Sequence, residues 1–153
     1  MKQIIDALNK ALAMEIQAIL QYVNQYHILH DADFMELANK TMAIAKEEMS
    51  HADDLGKRIK ELGGSAVAMP DAKPTTGQGV EDIFQFDADL ETTTIKKYNE
   101  FSEICRENGD TVSATLLERI SASEQEHFNT FDKIAAHIDK FGDGYLSVQA
   151  GEG

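Results

Sequence analysis

Glu48 and His51 stand three residues apart in the stretch KEEMSHADD (residues 46–54), and Glu124 and His127 repeat the spacing in EQEH. On a helix, a carboxylate and an imidazole three residues apart share one face and can reach one object. Glu15 precedes Glu48 by 33 residues, and Glu91 precedes Glu124 by 33. An offset of 76 residues therefore carries Glu15, Glu48 and His51 onto Glu91, Glu124 and His127. Four carboxylates and two imidazoles are enough to hold two divalent cations, with one histidine for each. Such a mixed oxygen and nitrogen donor set suits iron, manganese or zinc. A single Glu-x-x-His arises by chance in Glu-rich helices, whereas the matched pair with equally spaced partners is specific. The neighbouring Glu47 and Asp54 read as ordinary solvated charges.

The elements that must position these residues are helices. Apolar residues recur at spacings of three and four along four stretches. They are Leu8–Ala11–Ala18–Tyr22–Leu29; Leu37–Ile44–Leu55–Ile59; Phe84–Ala88–Ile95–Tyr98–Phe101–Cys105; and Leu116–Leu117–Ile120–Phe131–Ile134–Ile138. Each is a helical period held over several turns. Glu15, Glu48, His51, Glu91, Glu124 and His127 interrupt these faces at positions the period assigns to the core. Four buried carboxylates without counter-charge would cost several kcal/mol apiece or stay protonated, and two divalent cations would balance them.

The polar breaks HDAD (30–33) and ENGD (107–110) are short, which makes the helices they join antiparallel neighbours, and each offers an Asp as a helix N-cap. In such hairpins Glu15 lies level with Glu48, and Glu91 with Glu124. The join at residues 63–79, GGSAVAMPDAKPTTGQG, holds both prolines and four of the ten glycines and cannot be helix. Extended, it reaches roughly 55 Å, enough to run the length of a 30-residue helix of about 45 Å. After FGDG, residues 145–150 form a last short helix. The expected fold is all-α: one domain over residues 1–153, an antiparallel four-helix bundle with one long crossover and a short C-terminal helix.

Met49 lies about 100° round the helix from Glu48. It is expected to point out of the bundle beside Met42, Ala45 and Ala52, facing an apolar strip of Leu12, Ile16, Leu20 and Val23 on the first helix. Such a strip marks an interface, and a methionine there is most simply an adaptable interface residue.

Composition narrows the function. A net charge of −13 argues against nucleic-acid binding, which needs a basic face, and it can draw metal cations. The apolar runs fall far short of a membrane span, and residues 1–30 lack a signal-peptide pattern. The one cysteine, Cys105, forms no internal disulfide and reads as a free core thiol suited to a reducing cytoplasm.

Over nearly its whole length the chain resembles bacterioferritins, which belong to the ferritin-like di-iron superfamily. The resemblance rests on Glu15, Tyr22, EEMSHAD (47–53), Glu91, and Glu124 with His127. It implies two iron ions per chain, with Glu15 and Glu124 as terminal or bridging partners, and Glu48 and Glu124, from the Glu-x-x-His pairs, as the bridges. The activity implied is a ferroxidase that oxidises Fe(II) to Fe(III) with dioxygen or peroxide and stores ferric mineral in a hollow homo-oligomeric cage of 24 chains built from two-fold dimers. Tyr22 would be a hydrogen-bond donor beside the site or an electron source, although it also reads as a plain core tyrosine. The resemblance makes Met49 an axial ligand of a haem b shared between two chains, with the Lys46 stem against the porphyrin and its ammonium on a propionate. That haem would pass electrons inward for iron release, from a ferredoxin-type donor. The competing expectation is a soluble rubrerythrin-like di-iron peroxidase, which the lone Cys105 disfavours because no Cys-x-x-Cys pair is present.

Overall fold

The computed structural model describes residues 1–151 of the chain, and the following statements concern those residues. Five helices follow in order: α1 (Lys2–Asp31), α2 (Met35–Glu61), α3 (Val80–Glu107), α4 (Thr111–Phe141) and the short α5 (Asp143–Gln149). The tight α1–α2 and α3–α4 turns fold two antiparallel hairpins, and residues 62–79 run between them as the long crossover. None of the helices is long and apolar enough to cross a membrane.

Helices α1, α2 and α3 end in the same way. At the end of α3, Gly109 (φ 79°) donates to Arg106 O at 3.0 Å while Asp110 N donates to Cys105 O at 2.8 Å. Gly63 (φ 83°) and Gly64 close α2 with the same pair of bonds, to Lys60 O and Ile59 O. This satisfies the last carbonyls with a left-handed residue just past the helix. At the end of α1 that residue is Asp33 (φ 65°), bonded to His30 O, with Phe34 N reaching Leu29 O. Asp33 is therefore spent on closing α1, and the N-cap of α2 is Phe34, which makes no side-chain cap bond. The expectation of an Asp cap holds only at Asp110, which accepts from Ser113 N at 2.9 Å.

The crossover is tied to α1 by side chains one to two turns apart. Asn9 donates to Ser65 O at 2.9 Å and accepts from Val67 N, Gln17 accepts from Ala72 N, and Gln21 both accepts from Thr75 N and donates to Thr75 O. Gln25 donates to Gln78 Oε1 at 2.9 Å. These bonds replace water for an irregular backbone that has no ladder of its own. Gly64 is needed for close approach, since a Cβ there would meet Ile5 Cγ2 at 2.8 Å.

The apolar core is divided in two. One cluster gathers Leu29, Leu37, Phe84 and Phe131 with their neighbours, the other Leu8, Leu55, Leu117 and Ile120. Each fully buried large side chain contributes about 1.5–3 kcal/mol. Ile95 and Leu116 lie at the rim, half-buried. Helix α5 sets Tyr145 and Leu146 against the first cluster, and Gly151 N donates to Asp33 O at 2.7 Å, fastening the tail to the first turn.

Candidate metal centre

Between the two apolar clusters lies a polar layer. Glu15 from α1, Glu48 and His51 from α2, Glu91 from α3, and Glu124 and His127 from α4 all point into it, and none is more than 6% exposed. The level pairing of the hairpins brings them together as two overlapping groups, Glu15–Glu48–His51–Glu124 and Glu48–Glu91–Glu124–His127. Within each group one donor atom per residue lies within 4.8 Å of the others. Glu48 and Glu124 belong to both groups.

Both imidazoles turn Nδ1 toward the carboxylates. His51 Nδ1 stands 2.9 Å from Glu48, 3.1 Å from Glu124 and 3.6 Å from Glu15. His127 Nδ1 stands 3.2 Å from Glu124, 3.4 Å from Glu48 and 3.6 Å from Glu91. The two rings stack with centroids 6.0 Å apart.

Burial dominates the titration of this cluster. It pushes Glu15 up to about 7, with the Glu124 charge adding and His51 opposing. It also raises Glu48 and Glu91 well above the usual carboxylate range, and the neighbouring carboxylates add to the rise. Burial works against the imidazolium forms too, yet bonds to Glu124 and Glu15 carry His51 up to about 9, and bonds to Glu124 and Glu91 carry His127 up to about 11. Glu124 alone is held low, because bonds with Glu91, both imidazoles and Glu48 outweigh its burial. Without cations the layer therefore keeps extra protons, and the six groups titrate together. Buried Oε2 atoms of Glu15 and Glu91 have no hydrogen-bond partner. A buried acceptor left bare is costly, and a divalent cation is the partner this donor set fits.

Tyr22 reaches the layer from α1, its hydroxyl donating to Glu91 Oε1 at 2.5 Å. Three groups beside the layer carry roles that the apolar period and charge count hide. Tyr98, one of the stripe residues, donates to Glu15 Oε1 at 2.8 Å and lies 2.9 Å from Ala11 O. The 76-residue offset carries Tyr22 onto Tyr98, and that repeat was the signal for it. Glu47, half-exposed, accepts from His127 Nε2 at 2.5 Å, which fixes the ring with Nδ1 inward. Asp87 is fully buried one turn before Glu91, and burial raises it well above the usual carboxylate range against a smaller lowering by Gln25. Asp54, by contrast, pairs with Arg119 at 3.0 Å on the surface.

Met49 points outward, 44% exposed, as its position on the helix implies. Its expected surroundings are only partly right. Ala45 faces the core, and Met42 and Ala52 are half-buried. On α1, Leu12 is buried in the second apolar cluster and Ile16 and Val23 are half-buried, leaving Leu20 at 45% exposure. The α1–α2 contact is wider than a single stripe, so it absorbs part of the predicted strip.

A four-helix bundle with a crossover along its length and mirrored Glu and Glu-x-x-His sets at its middle defines a protein of the dinuclear carboxylate class. The ferritin-like domain family matches residues 5–141. A bacterioferritin of Desulfovibrio desulfuricans is 46% identical over 149 residues, covering 97% of this chain and 83% of that one. A bacterioferritin of Mycobacterium tuberculosis is 32% identical over 146 residues, covering 95% and 92%. The X-ray structure of the Desulfovibrio desulfuricans protein, which describes its diiron site after reduction and reoxidation, superposes with a TM-score of 0.97 at 46% identity over 98% of this chain and 88% of that one. Rhodobacter capsulatus bacterioferritin, with a metal-free dinuclear site and haem iron on a crystallographic special position, superposes with a TM-score of 0.94 at 28% identity over 99% and 95%. The chain belongs to the ferritin-like family and, within it, to the bacterioferritins.

Proposed function

We propose that this protein is an iron-storage ferroxidase that oxidises Fe(II) at the mid-bundle layer and stores the ferric product as mineral. The observation that carries this reading is the pair of overlapping four-residue groups sharing Glu48 and Glu124. Glu15 and His51 would complete one Fe(II) position, Glu91 and His127 the other, with Glu48 and Glu124 bridging. Two bound Fe(II) supply two electrons, which with two protons reduce one peroxide to two waters. Dioxygen takes up the same two electrons and two protons to give hydrogen peroxide, which a second pair of Fe(II) reduces to two waters. The carboxylates favour the harder ferric ion, and Glu47 keeps the His127 ring oriented. As cations enter, the protons that burial keeps on Glu15, Glu48 and Glu91 are displaced, and the layer becomes charge-balanced.

The bacterioferritin relatives support a homo-oligomeric iron-storage assembly. The reading takes this to a cage of 24 chains assembled from two-fold dimers, loaded from Fe(II) and emptied through a ferredoxin-type donor. The buried single Cys105 supports a cytoplasmic location. A haem b between two copies is part of the reading. The exposed Met49 thioether is the soft axial donor it requires, an isologous two-fold would supply the second from the other copy, and Lys46 is exposed and free to reach a propionate. Haem supplies electron transfer for iron release. Titration with haem should reach one per two chains and fail in Met49→Leu while Fe(II) oxidation persists; haem uptake unchanged by that substitution removes the assignment. Light scattering tests the cage, and a monomer at micromolar concentration contradicts it.

A further inference from the structure

Glu15 and Glu91 share an arrangement that Glu48 and Glu124 lack. Each has one donor within hydrogen-bond range, a tyrosine from the opposite hairpin, on Oε1. The nearest imidazole nitrogen is 3.6 Å away in both cases, and Oε2 of both is buried and bare. Glu48 and Glu124 instead face the imidazoles. Each phenol therefore touches only the glutamate that is unique to one of the two groups. The geometry points to Tyr98 and Tyr22 as positioning residues that tune the two metal positions separately and crosswise: Tyr98, through Glu15, sets the position shared with His51, and Tyr22, through Glu91, sets the position shared with His127.

The physical reason is directional. A phenol proton on Oε1 lowers the basicity of that oxygen and fixes the carboxylate plane, leaving Oε2 as the stronger donor. Partners of this kind alter metal affinity by about 10–100-fold. The two are not equal. Tyr98 has one proton and two acceptors, Glu15 Oε1 at 2.8 Å and Ala11 O at 2.9 Å, so its bond to Glu15 is shared. Tyr22 has Glu91 alone, at 2.5 Å. Loss of the Tyr22 hydroxyl has the larger effect.

The inference rests on the dinuclear reading, and Co(II), which is not oxidised here, tests the two separately. The purified assembly is titrated with Co(II) and followed by its d–d absorption, with His51→Ala and His127→Ala marking which step belongs to which position. Tyr98→Phe should weaken the step missing from His51→Ala by about 10-fold and leave the other in place. Tyr22→Phe should weaken the step missing from His127→Ala by more than that. Both substitutions keep the ring packing against Phe101 and Phe131, so helicity and assembly size serve as the check on folding. Equal weakening of both steps in either variant, or no change in both, overturns the inference while two-site uptake by the wild type leaves the dinuclear reading standing. Uptake of fewer than two tightly bound Co(II) per wild-type chain defeats that reading and the inference with it.

Discussion

The α1–α2 and α3–α4 hairpins are one pattern written twice, and they differ where their surroundings differ. At the 76-residue offset, Glu15, Tyr22, Glu48 and His51 match Glu91, Tyr98, Glu124 and His127, and buried Leu8, Ile44 and Leu55 match Phe84, Ile120 and Phe131. Among the places where the match fails, four are informative. Phe34 stands where the second hairpin has the capping Asp110, and Asp33 where it has Gly109. Ala11 stands where it has buried Asp87, and Glu47 where it has Ser123. The repeat is kept where two equal cation positions need equal donors. It is lost at the turns, beneath the crossover and on the face that Glu47 occupies, where one half meets something the other does not.

The largest expected effect breaks the symmetry at the site. Glu124 belongs to both groups and Glu15 to one. Glu124→Ala should cut the rate of fast Fe(II) oxidation by at least about 100-fold and remove tight binding at both positions. Glu15→Ala should spare the Glu91–His127 position, and stepwise metal titration separates the two outcomes. Glu15→Ala should remain a folded bundle, and Glu124→Ala should fold with reduced stability, since it removes the carboxylate that both imidazoles face; helicity and assembly size check both.

A second effect follows from the protons the layer retains. Glu15 at about 7 and His51 at about 9 lie above their ordinary values of 4.5 and 6.5. The folded metal-free chain therefore binds more protons than the unfolded one, and its stability falls as pH rises. The Glu15 share is lost between about 4.5 and 7 and the His51 share between 6.5 and 9. The thermal midpoint of metal-free protein should drop across pH 5 to 9 by an amount worth several kcal/mol, and metal affinity should rise over the same window. A flat profile contradicts the protonated layer.

Smaller effects sharpen the contrast at the turns. Asp110→Ala removes the cap of α4 together with bonds to Arg58 and Ser113 and should cost about 1–2 kcal/mol in thermal or denaturant unfolding. Its counterpart Phe34→Ala removes no cap bond, so it disturbs packing only. Asp33→Gly makes the first turn like the second and should stabilise by up to about 1 kcal/mol.

Much of this was legible in the sequence. Polar residues interrupting apolar stripes, repeated at one offset, point to the six residues that the fold brings into one layer. The two prolines and clustered glycines mark the crossover, because neither residue type sustains a helix. What escaped was set by register between helices rather than by period within one. Tyr98 sits on an apolar face, and only its alignment opposite Glu15 makes its hydroxyl a partner. Glu47 looks like a surface charge until α4 places His127 beside it. Asp33 looks like a cap, but the helix ends one residue too late for it to serve the next one. The Gln21 and Gln25 amides take their meaning from the crossover, whose course no helical period encodes.

The central claim is that one chain holds two Fe(II) in a layer bridged by Glu48 and Glu124. Stopped-flow oxidation of stepwise Fe(II) additions to the metal-free assembly tests it most directly. The account predicts a fast phase that grows to two Fe(II) per chain and then saturates, and that is absent in Glu124→Ala. A fast phase that saturates at one Fe(II) per chain, or one that persists at the wild-type rate in Glu124→Ala, would contradict it.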